Sequence, residues 1–520
     1  MENKKNKIII ISLIVAIVLC IGAITFIIVK HNINNKKGNT IENNPVVTTS
    51  KYRMSGNNIE DFDLFFLKLE NNKENMTYSP LSIKYALAML NEGAVGETND
   101  QIKAVIGDYK ANKYENSSNM SLANALFVKD TEKDNIKEQY KTNLENKFNA
   151  EVIYDSFENP NNINNWVKNK TFGLVNHLFD DVSDKMFALV NALAIDMDWV
   201  YQIQARSTYG TNGKQYDYLL YAVNYYHTTY SDHIGLISEG GKFKKIKFGE
   251  NQIEVPAAQI GATINKYNIV STLGKENIKK TVGAEYDRRL ANNGAICYSN
   301  MTKEAILEQY VTEIDKHYNN VQKSTDFEFY TDNDVKVFAK DLKEYDGRTL
   351  QYIGIMPTNT ELNNYISGID SNKISRIINN LKTIDANSFE DGYVYKITGY
   401  IPFFKYDYDL DLTGDLKKLG ITNVFDPNRS DLSKLSSMEG TYIGETKHKT
   451  TIQFSNEGIK AAAATGFGGL GAAGCDLYQY ELPVKVIDLT FDKPYMYLIR
   501  DKKTGEIWFM GTVYNPSIEE

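Results

Sequence analysis

Six histidines, three cysteines and the absence of any metal-binding spacing set the first limit on the chemistry of this chain. His31, His177, His227, His233, His317 and His448 form no H-x-x-x-H or H-E-x-x-H pair, and Cys20, Cys297 and Cys475 form no C-x-x-C. Zinc hydrolysis and a disulfide framework are therefore not expected. G-x-S-x-G is missing, which removes the usual nucleophile elbow. Ser79 could be imagined as a nucleophile, but Pro80 follows it. Serine before proline is the signature of a helix cap and first turn, and we read Ser79 that way. Gly466 to Gly471, "GFGGLG", has the letters of a dinucleotide loop. Such a loop needs a strand before it and a long helix after it. An alanine run precedes it here and no amphipathic helix follows, so no cofactor is expected.

The stretch that asks for an explanation is "NEGIKAAAATGFGGLGAAGCD", Asn456 to Asp476. It carries no charge from Ala461 to Cys475, and no proline occurs from Gly458 to Leu482. It is too short and glycine-rich to span a bilayer. A strand in the middle of a sheet must offer every N–H to its neighbours, so proline is excluded. Alternate residues of such a strand face the core. On one parity stand Ile459, Ala461, Ala463, Thr465, Phe467 and Gly469, all uncharged, while Lys460 falls on the other. A passive linker would be more polar and would show no such alternation. The stretch reads as a strand in waiting.

The elements around it are mixed. "NNIEDFDLFFLKLE" has apolar residues at helical spacing, and "TYSPLSIKYALAMLNEGAVGETNDQIKAVIG" reads as a capped helix, a glycine break and a second helix. "ISGIDSNKISRIINNLK" and "DLTGDLKKLGITNVF" look helical or mixed. "VYKITGYIPFFKYDYDLDL" and "PVKVIDLTFDKPYMYLIRDKKTGEIWFMGTVYNP" look like strands, the latter with a Thr504-Gly505 turn. Trp199 and Trp508 sit in apolar runs and are expected in the core. No regular βα alternation occurs, which argues for an α+β fold. The 520 residues are 42% hydrophobic and 24% charged, with a net charge of −8. That composition is globular and gives no drive toward nucleic acid. Heavy use of Asn, Lys, Ile and Tyr reads as the coding bias of a low-GC bacterium.

At the N-terminus, Ile8 to Val29 is an uncharged run. At 1.5 Å per residue it covers about 33 Å, enough for one bilayer crossing. We expect residues 1–30 to be a signal anchor or transmembrane helix, 31–55 a polar tether and 56–520 the folded domain. A single-pass protein of the cell membrane with its domain outside the cell follows.

The pieces also carry a resemblance. "SNEGIKAAAATG" resembles the hinge of the serpins, the serine protease inhibitors. "FDKPYMYLIRD" looks like their downstream signature and "FMGTVYNP" like their closing strand. "TYSPLSIKYALAMLNEGAVGET", "INNWVKNKTFGLV", "LVNALAIDMDW" and "LKKLGITNVFD" resemble further family segments, all in family order. The resemblance implies three β-sheets, about eight or nine helices and an exposed reactive loop. It implies a suicide substrate and no catalytic turnover. A serine or cysteine protease would cut the loop, and the loop would enter the main sheet while the enzyme is still an acyl-enzyme.

Carried over residue by residue, the hinge is Gly458, Ile459, Lys460, Ala461, Ala462, Ala463 and Ala464. Ser79, Ser82, Asn191 and His448 match a polar "shutter" under the sheet, and Trp199 matches a "breach" residue at its top. Counting from Gly458 places the reactive bond at Ala472–Ala473. Counting back from Phe491 lands near Gln479. Alanine before the cut suits an elastase-like or subtilisin-like target. Ile459, Lys460 and "IDMDW" depart from the family pattern. Residues 201–325 are roughly ninety longer than the family's stretch, and long insertions often carry function. A monomer is expected. The alternative is a non-inhibitory surface protein that binds or adheres through the insertion.

Overall fold

A computed structural model describes residues 49–56, 58–199, 204–207, 235–238, 245–265, 274–293, 300–319, 324–385, 394–444, 446–455, 458–459 and 484–516. The apolar run at 8–29 lies outside them. Among the described residues no helix is long and apolar enough to cross a membrane. The described part of the larger compact unit begins at Thr49. Tyr52 packs edge-on against Phe65 at 5.0 Å, and Met54 is buried.

In chain order the body opens with helix α1 (Asp61–Leu69), strand β1 (Met76–Tyr78) and helices α2 (Pro80–Gly93) and α3 (Gly96–Ile106). Strand β2 (Met120–Lys129), helix α4 (Glu138–Phe148), strand β3 (Ala150–Asp155) and helix α5 (Asn161–Lys170) follow, then strands β4 (Phe187–Ile195) and β5 (Met197–Asp198). The long central region holds β6 (Gln204–Ser207), β7 (Gly235–Ser238), β8 (Lys245–Phe248) and β9 (Ile253–Asn265), then helices α6 (Lys275–Ala291) and α7 (Lys303–Asn319). Next come β10 (Ser324–Thr331), β11 (Val335–Asp341), β12 (Leu350–Pro357), α8 (Leu362–Gly368), α9 (Ser371–Asn380), β13 (Lys382–Asp385), β14 (Val394–Pro402), β15 (Phe404–Leu410) and α10 (Leu412–Lys418). The chain closes with β16 (His448–Phe454), β17 (Gly458–Ile459), β18 (Val484–Asp488), β19 (Tyr495–Asp501) and β20 (Ile507–Val513).

The α+β expectation holds. Ten α-helices stand among the described residues where eight or nine were expected. The excess comes from the central region, where α6 and α7 lie against each other, with Ile278, Val282, Ile306 and Tyr310 buried, and are tied by Lys279–Glu308 and Lys303–Asp287. These helices were illegible because α6 is polar on almost every side and shows no apolar stripe.

Two sheets are large. One runs β1-β20-β19-β12-β11-β10-β13, the other β18-β14-β9-β7-β6 with β8 beside β9. Strands β12, β19 and β20 are almost wholly buried and form the middle of the main core. The Thr504-Gly505 turn joins β19 to β20, with Gly505 at φ 77° as a tight turn requires. In place of a third continuous sheet there are separate pieces: β3-β2-β4, β15-β16 and β17-β5. Strand β2 alternates, with Leu122, Leu126 and Val128 in the main core and Ala123, Ala125 and Phe127 in a second cluster with Trp166 of α5. Tyr406 on β15 donates to the Thr512 carbonyl at 2.7 Å and so binds the β15-β16 pair to the seven-stranded sheet.

Helix α2 begins as its sequence says: the Ser79 side chain accepts from the Ser82 N–H at 3.0 Å and Pro80 fills the first position. It is tied to α1 by an ion pair between Lys84 and Asp63, 2.6 Å apart with both side chains fully buried. Burial pushes the Asp63 carboxyl up to about 6 against the pull of Lys84. Burial alone would lower Lys84, but the Asp63 carboxylate overrides it and holds the ammonium above its ordinary value.

Removing one partner of a buried pair leaves an uncompensated charge, whereas removing both does not. Lys84→Met is expected to lower the unfolding free energy by about 3–5 kcal/mol, and Asp63→Asn with Lys84→Met by clearly less than the two single changes added. Urea denaturation of the four proteins of that cycle checks this. Additive costs would show that the pair does not couple.

Candidate functional site

Strands β4 and β16 flank a cleft. Its walls are Leu193, Ala194 and Ile195 on one side and Thr451, Ile452 and Gln453 on the other, with Ile499 and Phe509 of the seven-stranded sheet also lining it. Strand β4 makes its ladder with β2 and β16 with β15, and the two do not pair with each other. At the upper end Trp199 reaches across. Its indole Nε1–H donates to the Ser455 carbonyl at 3.0 Å, and its ring packs on Phe454 at 5.4 Å and Tyr352 at 6.1 Å. Residues 193–195 face 451–453 and Trp199 meets Ser455, so β4 and β16 run in the same direction.

Below Trp199 the segment that follows α5 also lines the cleft, through Leu174 and Val175. The Thr451 hydroxyl donates to the Leu174 carbonyl at 3.1 Å. Asn164 of α5 holds that segment: its Oδ1 accepts from the N–H groups of Leu178 (2.8 Å) and Phe179 (3.0 Å), and its Nδ2 donates to the Phe179 carbonyl (2.8 Å).

At the lower end of β16 lies His448, buried. Its Nε2 accepts from the Ser79 N–H at 2.9 Å and lies 3.2 Å from the Thr450 hydroxyl. An acceptor at Nε2 places the proton of the neutral ring on Nδ1. Burial pushes the imidazole down to about 4, since a charged ring would lose both water and this bond.

The four residues expected to cluster here are thus only partly brought together. Ser79 and Ser82 meet through the cap, and Ser79 meets His448. Among the hydrogen bonds of the described residues none joins Asn191 to His448. Asn191 Nδ2 donates instead to Asn124 Oδ1 at 2.5 Å, and Asn191 Oδ1 is buried with no hydrogen-bond partner. The reason is the register: Asn124 and Asn191 are direct partners on β2 and β4, while His448 stands across the cleft. Asn124 in turn donates to the Phe148 carbonyl. Neither Asn124 nor Thr450 was singled out in the sequence. The signal for Asn124 was present, a polar residue at a core-facing position of the alternating run "SLANALFVK".

Gly458 and Ile459 form β17, which pairs antiparallel with β5: Gly458 opposite Asp198 and Ile459 opposite Met197. Lys460, Ala461, Ala462, Ala463, Ala464 and the Ala472–Ala473 bond lie outside the described residues. The chain returns at β18, parallel to β14.

A sequence model of the family described as "Serpin (serine protease inhibitor)" matches residues 61–212 and 312–516. The chain belongs to the serpin family. Neuroserpin of Mus musculus is 23% identical over 466 residues, covering 85% of this chain and 86% of that protein. The leukocyte elastase inhibitor of Equus caballus is 27% identical over 172 residues, covering 33% of this chain and 42% of its own. Among solved structures, a thermophilic serpin, tengpin, in the native state matches with TM-score 0.56 and 21% identity over 89% of this chain and 96% of tengpin. Thyroxine-binding globulin with thyroxine matches with TM-score 0.55 and 16% identity over 88% and 98%. These structural likenesses are of the fold. The unmatched stretch, 213–311, narrows the expected insertion, because part of it is β8 and β9, and β9 pairs with β14 in the six-stranded sheet.

A depressed histidine pKa has a defined sign. The unfolded chain protonates near 6.5 and the folded one near 4, so this serpin has the full contribution of His448 above pH 6.5 and loses it as the pH falls toward 4. The loss is at most about 3 kcal/mol. Replacing the ring by His448→Gln is expected to flatten the pH dependence of stability between 6.5 and 4. Denaturation midpoints of both proteins across that range test it, and parallel curves would refute it.

Proposed function

We propose that this serpin inhibits a serine or cysteine protease by trapping it as an acyl-enzyme, with the cut loop inserting between β4 and β16. The observation that carries this reading is the cleft itself, two strand edges without a common ladder directly below the hinge residues. The sequence of the loop suits that seat. It is proline-free from Gly458 to Leu482, and it is uncharged from Ala461 to Cys475. An elastase-like or subtilisin-like enzyme fits the Ala472–Ala473 bond, because a small apolar side chain precedes the cut. The family relatives include a protein named for inhibiting leukocyte elastase. We further read residues 8–29 as the anchor of a single-pass cell-membrane protein with the serpin body outside a low-GC bacterium.

A second reading has its own observation. Helices α6 and α7 lie in the stretch that the family sequence model leaves mostly unmatched. A binding or adhesion role through that insertion would need no loop insertion.

The experiment mixes the full chain with elastase-type, subtilisin-type and chymotrypsin-type proteases. Denaturing gels and mass spectrometry of the released C-terminal peptide read the outcome. An adduct stable to denaturant is expected with the elastase-type or subtilisin-type enzyme, and the first residue of the peptide fixes the bond. Ala463→Pro removes a ladder N–H from the middle of the inserting strand, so the protein should be cleaved with the adduct lost. Cleavage without adduct for the unaltered chain across the panel would leave the binding reading in front.

A further inference from the structure

Helix α10 carries a charge where its own pattern calls for an apolar residue. Its buried residues are Leu412, Asp415 and Leu416, one face at helical spacing. The Asp415 side chain is 1% exposed. Its Oδ1 has the half-exposed Lys418 as a partner, with Nζ 3.4 Å away. Its Oδ2 is buried and has no hydrogen-bond partner among the described residues. A carboxylate oxygen taken out of water and left unpaired is costly, so the site asks for something that Oδ2 could bond.

What faces Asp415 is another acid. Glu70, the cap residue that ends α1, lies within hydrogen-bond reach of the Asp415 carboxyl. The C-terminal end of a helix carries partial negative charge, so α1 does nothing to relieve two carboxylates there. From β15 the Tyr408 hydroxyl donates to Glu70 Oε2 at 3.4 Å, and Glu74 is a further carboxylate near that hydroxyl. Two ionised carboxylates repel and have no hydrogen to share. With one proton between them, one donates to the other and the repulsion is gone. Burial and the Glu70 charge push the Asp415 carboxyl up to about 6 against the pull of Lys418. The pair sits at a joint. α10 follows β15 directly, and Leu410 at the end of β15 stands opposite His448. The Thr413 hydroxyl oxygen on α10 accepts from the Thr446 N–H at 2.8 Å, just before β16. Through α10 both strands of the β15-β16 pair are thus linked to α1.

From this geometry we infer that Glu70 and Asp415 share one proton, and that this proton fastens α1 to α10 at the foot of the β15-β16 pair. The proton comes from solvent, sits on Asp415 and is donated to Glu70. The folded chain binds it more tightly than the unfolded chain, whose aspartate protonates near 3.8. The joint therefore adds stability as the pH falls through 6 and adds none above it. His448, in the same wall of the cleft, changes in the opposite sense. The joint stands apart from the trapping reading.

The test replaces the proton by an amide. In the full chain, Asp415→Asn gives Glu70 a permanent donor, so this protein should have the higher urea midpoint at about pH 7.5. The gap to the unaltered chain should narrow as the pH is lowered to about 4.5, by at least about tenfold in the unfolding equilibrium constant. Taking the difference between the two proteins at each pH removes the shares of His448 and Asp63. Glu70→Gln gives Asp415 the same donor from the other side, at a half-buried position, and should also raise the midpoint at neutral pH. It keeps the test open should Asp415→Asn not fold. In the Glu70→Gln background, Asp415→Asn should change the pH dependence by about threefold or less, because the donor is already present. An Asp415→Asn gap that is the same at both pH values would overturn the shared proton. So would a gap that narrows equally in the Glu70→Gln background, since Asp415 would then titrate alone. A midpoint of the unaltered chain that rises with millimolar calcium at neutral pH, and does not rise in Asp415→Asn, would put a cation in the place of the proton and overturn the proposal.

Discussion

An interior strand edge is the constraint on which this molecule turns. Each backbone N–H and C=O on the facing edges of β4 and β16 lacks a ladder partner on the other, and each such bond, once made, is worth a net of about 1 kcal/mol. Folding normally closes such edges. Here Trp199 meets Ser455 at the upper end and the Leu174 carbonyl meets Thr451 further down, while the two edges share no ladder. Each of the two strands has a ladder on its other side. β2 backs β4, and β15, pinned through Tyr406, backs β16.

The polar residues near the cleft divide by what they hold. His448 and Ser79 tie the foot of β16 to the start of α2, and the ring must stay neutral to accept the Ser79 N–H. Asn124 and Asn191 tie β2 to β4 and take no part across the cleft. Each wall therefore has its own internal fastening. Lys343 does the same for β5 at the top.

Much of the fold was legible in the sequence because its signals are local. Ser79-Pro80 marks a helix start through one cap and one missing N–H. Thr504-Gly505 marks a hairpin because only glycine takes its φ without strain. The strand at "LVNALAI" was legible only through the resemblance of "LVNALAIDMDW" to a family segment. What was not legible depended on register or on distance in the chain. Asn191 could be recognised as a core-facing amide, but its partner is set by how β2 aligns with β4. The insertion was unreadable because α6 buries only Ile278, Val282 and Gly283 on an otherwise polar helix. The hinge was visible through what it lacks, charge and proline. Its antiparallel seating on β5 could not be read from residue types, since either direction uses the same alternation.

The insertion also says something about how such a chain can change. It leaves from β9 in the six-stranded sheet and returns at β10 in the seven-stranded sheet. β9 is registered by β14 and β10 by β11, and among the described residues between them only helices stand. Length can be gained or lost there with every rung of both sheets kept. The α6–α7 pair thus sits on a connection between the two sheets and away from the hinge, and most of it lies where the family model has no counterpart.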